Sequence, residues 1–483
     1  MNGLQENPLE LTGEQMRALV AQAMERIVEQ IESLGEQPAV NVDGGAELAR
    51  SLAESLPAGP TAPEELLELL FERAVPNSFN TAGPGYLAYI PGGGLFHSAV
   101  ADLIAGAINR YVGVWLTAPG LVQLEANVVR WFCEIIGYPR DAGGFLTTGG
   151  SLANLTAVIT ARRERLPEHF LEGTLYTSDQ VHHSVSKSAV LAGFPLRNVR
   201  EIPSDGRFRL RCDELERRIV EDRRAGLRPF LIVANAGTTN TGAVDDLEAA
   251  AEVAARHGLW LHADAAYGGF FMLTDRGRSV LAGLERADSV TLDPHKGLFL
   301  PFGTGSLLVR DVGALKRAHS TAADYMPAMQ EDPDLVDFCE LSPELSRDFR
   351  GLRVWLPIKM HGIEPFRRSL DEKLDLARWA TAELRKIPGV EIVAEPQLSL
   401  VVFRLVRPGL EGTELNRLNR DFLERINRPR RVLLTGTTLG ERFAIRICVL
   451  SFRTHRDRLE ACLEDVRRAA AELGGPRGER PST

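Results

Sequence analysis

The chain has 483 residues and sets 56 lysines and arginines against 65 aspartates and glutamates, for a net charge of -9 with both signs intermixed. This length exceeds one simple core and predicts a large domain with smaller companions, while the charge leaves no basic footprint for nucleic acid and no polybasic patch for a membrane surface. Five cysteines, far apart and never in a Cys-x-x-Cys pair, argue against a disulfide framework or zinc ribbon and read as isolated thiols.

Met1 to Glu10 has neither the basic start nor the apolar run of a secretory signal, and no apolar stretch reaches bilayer-spanning length, so cytoplasmic residence is the expectation. Behind Thr12 as N-cap, Met16, Leu19, Val20, Ala23, Ile27 and Ile31 predict an amphipathic helix over 13–34, an arm suited to packing on a partner subunit. After a Pro/Gly-rich stretch, a second helix is predicted from Pro63 to Ala74, with proline first and Glu64 and Glu65 in its opening turn. Turn-rich segments at Gly83-Pro84-Gly85 and Pro91-Gly92-Gly93-Gly94 then lead into the main body.

From Gly144 onward, short apolar runs alternate with helical patterns, which predicts an α/β fold with a mainly parallel sheet flanked by helices. The expected strands are Phe145 to Thr148, Leu175 to Ser178, Val199 to Ile202, Phe230 to Ala234, Trp260 to Ala263, Ser289 to Leu292 and Ser306 to Val309. Helices are expected at Ser151 to Arg165, Asp213 to Arg224 and Asp245 to Arg256. Beyond about residue 355 come a long helix (Glu364 to Ile387), strands near Val390 to Val393, Leu398 to Val406 and Arg442 to Val449, and a closing helix (Asp457 to Leu473), the pattern of a small α+β domain. The expected division is an N-terminal helical segment (1–90), a large domain (91–354), a small C-terminal domain (355–473) and a frayed tail (474–483).

Ligands in such sheets sit beyond the carboxyl ends of the strands, and the distinctive motifs fall there. Thr147-Thr148-Gly149-Gly150-Ser151 runs from a strand into a helix, leaving amides free for a phosphate; alone it reads better as a glycine turn capped by Ser151, and its place in the array of strand ends reverses that preference. His182 and His183 follow a strand, where one ring can lie against a cofactor ring or merely cap a helix. Asp264 ends an apolar strand, where a buried carboxylate needs a cation or a donor. Lys296, in Asp293-Pro294-His295-Lys296, lies between an apolar strand and Gly297-Leu298-Phe299-Leu300, where an amine is costly but an imine is not. A zinc site from these histidines lacks the His-x-x-x-His spacing and a cysteine, so no metal is expected. One lysine and one carboxylate at matched strand ends suit pyridoxal phosphate: Lys296 for its aldehyde and Asp264 for its ring nitrogen.

Together with Tyr86-Leu87-Ala88-Tyr89-Ile90-Pro91, Ser178-Asp179-Gln180-Val181-His182, His262-Ala263-Asp264-Ala265-Ala266-Tyr267 and Pro294-His295-Lys296, the chain resembles the group II pyridoxal-phosphate decarboxylases, the family of aromatic amino acid, histidine and glutamate decarboxylases, over nearly its whole length. The resemblance implies the fold type I architecture, a homodimer and active sites at the subunit interface. It makes Lys296 the Schiff-base lysine, Asp264 the pyridinium partner and His182 the ring-stacking residue. Gly150, Ser151 and His295 match phosphate-side positions, while Thr239 and Ala266 match residues beside the ring. Tyr325, twenty-nine residues beyond Lys296, lines up with the mobile-loop tyrosine that returns a proton to the substrate α-carbon, and Arg446 with the arginine that holds the substrate carboxylate. Gly297 stands where a bulky tryptophan often follows the lysine, and Gly92 opens a three-glycine run, which together imply a substrate pocket that is wider or differently lined. Asp293 replaces an asparagine of some relatives and receives no contact.

The expected activity is decarboxylation of an L-amino acid to its amine. Tyr89, Ile90, Gly92 and Tyr111 are candidate pocket residues whose apolar rim favours an aromatic side chain, with an acidic amino acid such as glutamate or aspartate as the alternative. An aldehyde synthase or aminotransferase would use the same core, and a lyase of the sphingosine-phosphate type would carry a membrane anchor or basic pocket. A non-catalytic binding protein of this fold would typically lose Lys296 or Asp264, and both are present.

Overall fold

The computed structural model describes residues 7, 9–321, 329–332 and 334–474. Its larger sheet is built from β1 (Gly143–Thr147), β2 (Gly173–Ser178), β3 (Val199–Ile202), β4 (Arg228–Asn235), β5 (Trp260–Asp264), β6 (Ser289–Leu292) and β7 (Gly305–Val309). All seven lie within two residues of their expected bounds. Strands buried on both faces read as continuous apolar runs, and β2, β5, β6 and β7 are buried at every position. The order is β1-β7-β6-β5-β4-β2-β3. Pairs β2–β3, β2–β4, β4–β5 and β5–β6 are parallel, whereas β7 runs antiparallel to both of its neighbours. Helices Pro119–Ile136, Gly150–Arg165, Cys212–Arg224 and Leu247–His257 pack against this sheet, which gives the fold type I α/β arrangement.

A second, four-stranded antiparallel sheet, in the order β10-β11-β9-β8, is formed by β8 (Val390–Ala394), β9 (Leu400–Leu405), β10 (Thr435–Leu439) and β11 (Arg442–Cys448). It has its own apolar cluster, in which Val401, Phe403 and Ile445 meet Ala377 and Ala380 of helix Glu364–Leu384 and Leu459 and Val466 of helix Arg456–Gly474. Strand β10 has no counterpart among the expected strands: its sequence, Thr-Gly-Thr-Thr-Leu, is polar and glycine-broken, as an edge strand tolerates.

Thr12 caps helix Gly13–Glu32 as expected, in a capping box with Gln15. No residue of that helix is buried, and Met16, Leu19 and Val20 remain 40% or more exposed. The second expected helix is α-helical only over Pro63–Glu68 and continues as a π-helical turn over Leu69–Ala74.

Candidate active site

The parallel strands deliver their turns to one cavity of about 270 Å³. Its walls hold Gly150 and Ser151 after β1, His182 after β2, Thr239 after β4, Asp264 and Ala266 at the end of β5, and His295 and Lys296 after β6. Eight of the residues singled out from the sequence therefore meet in one place.

Asp264 is buried, and its carboxylate is fixed from two sides: Asn154 Nδ2 donates to Oδ2 at 2.9 Å and the Ala266 amide donates to Oδ1 at 3.2 Å. The Lys296 amine lies 2.8 Å from Asp293 Oδ2. Burial works against the charge on Lys296, but Asp293, with Asp264 farther off, outweighs it and holds the amine above the usual lysine value. His182 caps helix His183–Leu191 through Nδ1, which accepts from the Ser184 amide at 3.3 Å and lies 2.8 Å from Ser184 Oγ. Burial pushes its pKa down against the pull of Asp264. Helix Gly150–Arg165 starts behind Gly149 without a side-chain cap, so its first amides remain available to an anion. His295 is buried nearby, with Nδ1–H donating to the Thr304 carbonyl at 2.5 Å.

The substrate-side candidates are placed differently. Arg446 is buried and donates to the carbonyls of Asn240 and Tyr89 at 3.2 Å, to Thr435 Oγ1 at 3.2 Å and to the Thr239 carbonyl, which engages four of its five N–H groups. Tyr89 is 53% exposed with φ of 50°, and the Tyr111 hydroxyl donates to the Leu345 carbonyl at 3.0 Å. None of these three lines the cavity wall. Tyr325 falls outside the described residues.

Both glycines read as pocket room have another physical cause. A Cβ on Gly92 would lie 2.0 Å from the His295 carbonyl oxygen, so this glycine lets the chain press against the Lys296 turn. A Cβ on Gly297 would lie 2.7 Å from Phe270 Cβ, inside the core. The space vacated at position 297 is therefore filled by Phe270 and does not widen the pocket.

Two contributors escaped the sequence reading. Asp293 carries a lone i,i+3 signal toward Lys296, and its Oδ1 is buried with no partner among the described residues. Asn154, a buried amide one turn into a helix, reaches Asp264 only through tertiary structure. Among the described residues no group of three or more His, Cys, Asp or Glu side chains could hold a metal ion, and no helix is long and apolar enough to cross a membrane.

An amine, a fixed carboxylate and an uncapped helix N-terminus in one cavity are the donor set that pyridoxal phosphate requires. The sequence model described as the pyridoxal-dependent decarboxylase conserved domain matches residues 47–406. The aromatic-L-amino-acid decarboxylase of Bacillus atrophaeus is 34% identical over 96% of this chain and 97% of its own length. The human cysteine sulfinic acid decarboxylase is 34% identical over 70% of this chain and 69% of its own. The crystal structure of Oryza sativa TDC with PLP and tryptamine superposes with a TM-score of 0.92 at 25% identity, covering 97% of this chain and 100% of that one. The chain belongs to the pyridoxal-dependent decarboxylase family. It is a carboxy-lyase that uses pyridoxal phosphate to decarboxylate an amino acid.

Proposed function

We propose that this chain converts an aromatic L-amino acid to its amine and carbon dioxide, in the cytoplasm, as a homodimer with active sites at the subunit interface. The observation that carries the chemistry is the meeting of Lys296 and Asp264 in one cavity. When bound, pyridoxal phosphate supplies an electron-accepting ring for the pair left behind by departing carbon dioxide. Lys296 would hold its aldehyde carbon, Asp264 its ring nitrogen and His182 its ring face. Thr239 and Ala266 would flank the ring, and Gly150, Ser151 and His295 would receive the phosphate. Asp264, fixed by Asn154 and Ala266, offers an acceptor that keeps a proton on the ring nitrogen.

Orientation selects the bond that breaks. The N–H of Arg446 left over from its four contacts would take the substrate carboxylate, and Tyr89, Gly92 and Tyr111 would shape the side-chain rim. Tyr325 would return a proton to the α-carbon, which favours an amine over an aldehyde as the product.

An aromatic substrate is supported by the end-to-end similarity to the Bacillus atrophaeus enzyme. The similarity to the human cysteine sulfinic acid decarboxylase keeps an acidic substrate as the second reading. The homodimer is supported by the uncovered apolar side chains of helix Gly13–Glu32 and by Leu103, Ile104 and Ile108 of helix Phe96–Ile108, each 39% or more exposed.

Carbon dioxide release from a panel of aromatic and acidic amino acids, with cofactor supplied, tests this reading. Release from the aromatic members is expected, and release confined to the acidic ones would overturn the substrate assignment. In Tyr325→Phe, product should shift from amine toward aldehyde with uptake of oxygen. An unchanged product ratio would remove Tyr325 from the protonation step.

A further inference from the structure

Behind Asp264 lies a set of buried polar side chains that the reaction itself does not use: Asn154, Ser184, His262, Ser289, Thr291 and the Trp260 indole. Each is within hydrogen-bond distance of at least one other, and the acceptor at one end and the donor at the other set the direction of the protons between them.

An ionised carboxylate only accepts, so the Asn154 atom 2.9 Å from Asp264 Oδ2 is its amide nitrogen. The amide oxygen of Asn154 therefore faces Thr291 Oγ1 at 2.8 Å and His262 Nε2 at 3.1 Å and accepts from both, with the Thr291 oxygen, 3.3 Å from Nε2, a second acceptor for the same ring proton. Complete burial keeps the His262 ring neutral, pushing its pKa down more strongly than nearby Asp264 raises it. With its proton on Nε2, His262 presents a bare Nδ1 to Ser289 Oγ at 2.8 Å. The Ser289 hydroxyl can donate there because its oxygen already accepts from the Trp260 indole, a donor-only group, at 2.8 Å.

The same amide nitrogen has a second hydrogen. It lies 3.0 Å from Ser184 Oγ, whose own proton is then free for His182 Nδ1 at 2.8 Å. An independent contact agrees: the Ser184 backbone amide also donates to His182 Nδ1, which requires that nitrogen to be bare.

We propose that Asn154 is the positioning residue that orients both side chains flanking the cofactor ring, Asp264 directly and His182 through Ser184, and that a one-way chain of donors from Trp260 through Ser289 and His262 fixes the Asn154 amide. The proposal rests on the roles given above to Asp264 and His182. Asn154 delivers donors to the two groups that must stay as acceptors on their inner sides, which leaves His182 Nε2–H as the proton-bearing edge of that ring.

Ring ¹⁵N resonances of histidine-labelled holoenzyme read this directly. His182 and His262 are both expected to be neutral with the proton on Nε2. A charged ring or an Nδ1–H form at His262 would overturn the chain, and either one at His182 would overturn the branch through Ser184. Asn154→Ala should raise the cofactor dissociation constant about ten- to hundredfold and move the visible band of the bound cofactor. Wild-type affinity with an unmoved band would overturn the proposal. Asn154→Asp removes both donors at nearly constant volume and is expected to weaken binding at least as much, so the test survives if the alanine variant does not fold. Failure of the underlying reading is distinguishable: an Asp264→Ala enzyme with full turnover would remove Asp264 from the reaction while leaving the histidine tautomers as described.

Discussion

The residues proposed for the cofactor and those proposed for the substrate are built into the fold on different principles. Lys296, Asp264, His182 and the Gly149-Gly150-Ser151 turn all follow strands of one sheet, so hydrogen-bond register places them relative to one another. Tyr89 and Gly92 share one segment, Tyr111 and Arg446 come from two others, and they are held mainly by backbone carbonyls and close glycine contacts. The residues proposed for the chemistry thus depend on the sheet, while those proposed for substrate choice lie outside it, with Gly92 pressed against the Lys296 turn.

Lys296→Ala tests the cofactor side most severely. It should abolish turnover together with the visible absorbance of the bound cofactor, and steady-state activity near wild type would remove the lysine from its role. Asp264→Asn keeps the shape but not the charge, and kcat should fall about 10²–10³-fold with Lys296 still attached to the cofactor. Gly92→Ala crosses from one side to the other: its methyl group meets the His295 carbonyl, which should cost about 1–3 kcal/mol by denaturant unfolding and loosen the cofactor as well. A variant as stable as wild type would separate the two sides completely.

Asp293→Asn should act in the favourable direction. The carboxylate holds the Lys296 amine charged, and a charged amine cannot attack an aldehyde. Removing it should lower the amine pKa, enlarge the uncharged fraction at neutral pH and so speed cofactor capture by the apoenzyme about tenfold, followed as growth of the visible band. An unchanged rate would show that Asp293 does not keep the amine charged.

The smallest effect is expected outside the cavity wall. Burial, reinforced by Arg163, pushes His319 from 6.5 down to about 4. Between those values the unfolded chain takes up a proton that the folded chain refuses, so stability falls as pH drops through this window. His319→Gln should flatten that fall by about 1 kcal/mol, allowing for the partial exposure of the ring, as read from denaturant midpoints across the window.

The large sheet was legible because its strands are short apolar runs ending in turn residues, and eight cavity residues were legible because they follow those runs. The polar edge strand β10 carries no such signal. Nor does helix Gly351–His361, which tolerates Pro357 in its interior. The Asp264–Asn154 contact joins residues 110 apart, and nothing local in either segment announces it. The two glycines misled for a related reason: missing side chains look like empty space in a sequence, whereas here the His295 carbonyl and Phe270 occupy it.

Strand β5 pairs with β4 and β6 through Asn235–Asp264 and Asp264–Thr291, and its side chains alternate between the two faces of the sheet. Inserting or deleting one residue between Trp260 and Asp264 would carry the acid to the opposite face and leave an alanine in its place. Descendants of this gene can therefore change the spelling of that pentapeptide far more freely than its length, and tolerated changes of length should gather in the connecting segments instead.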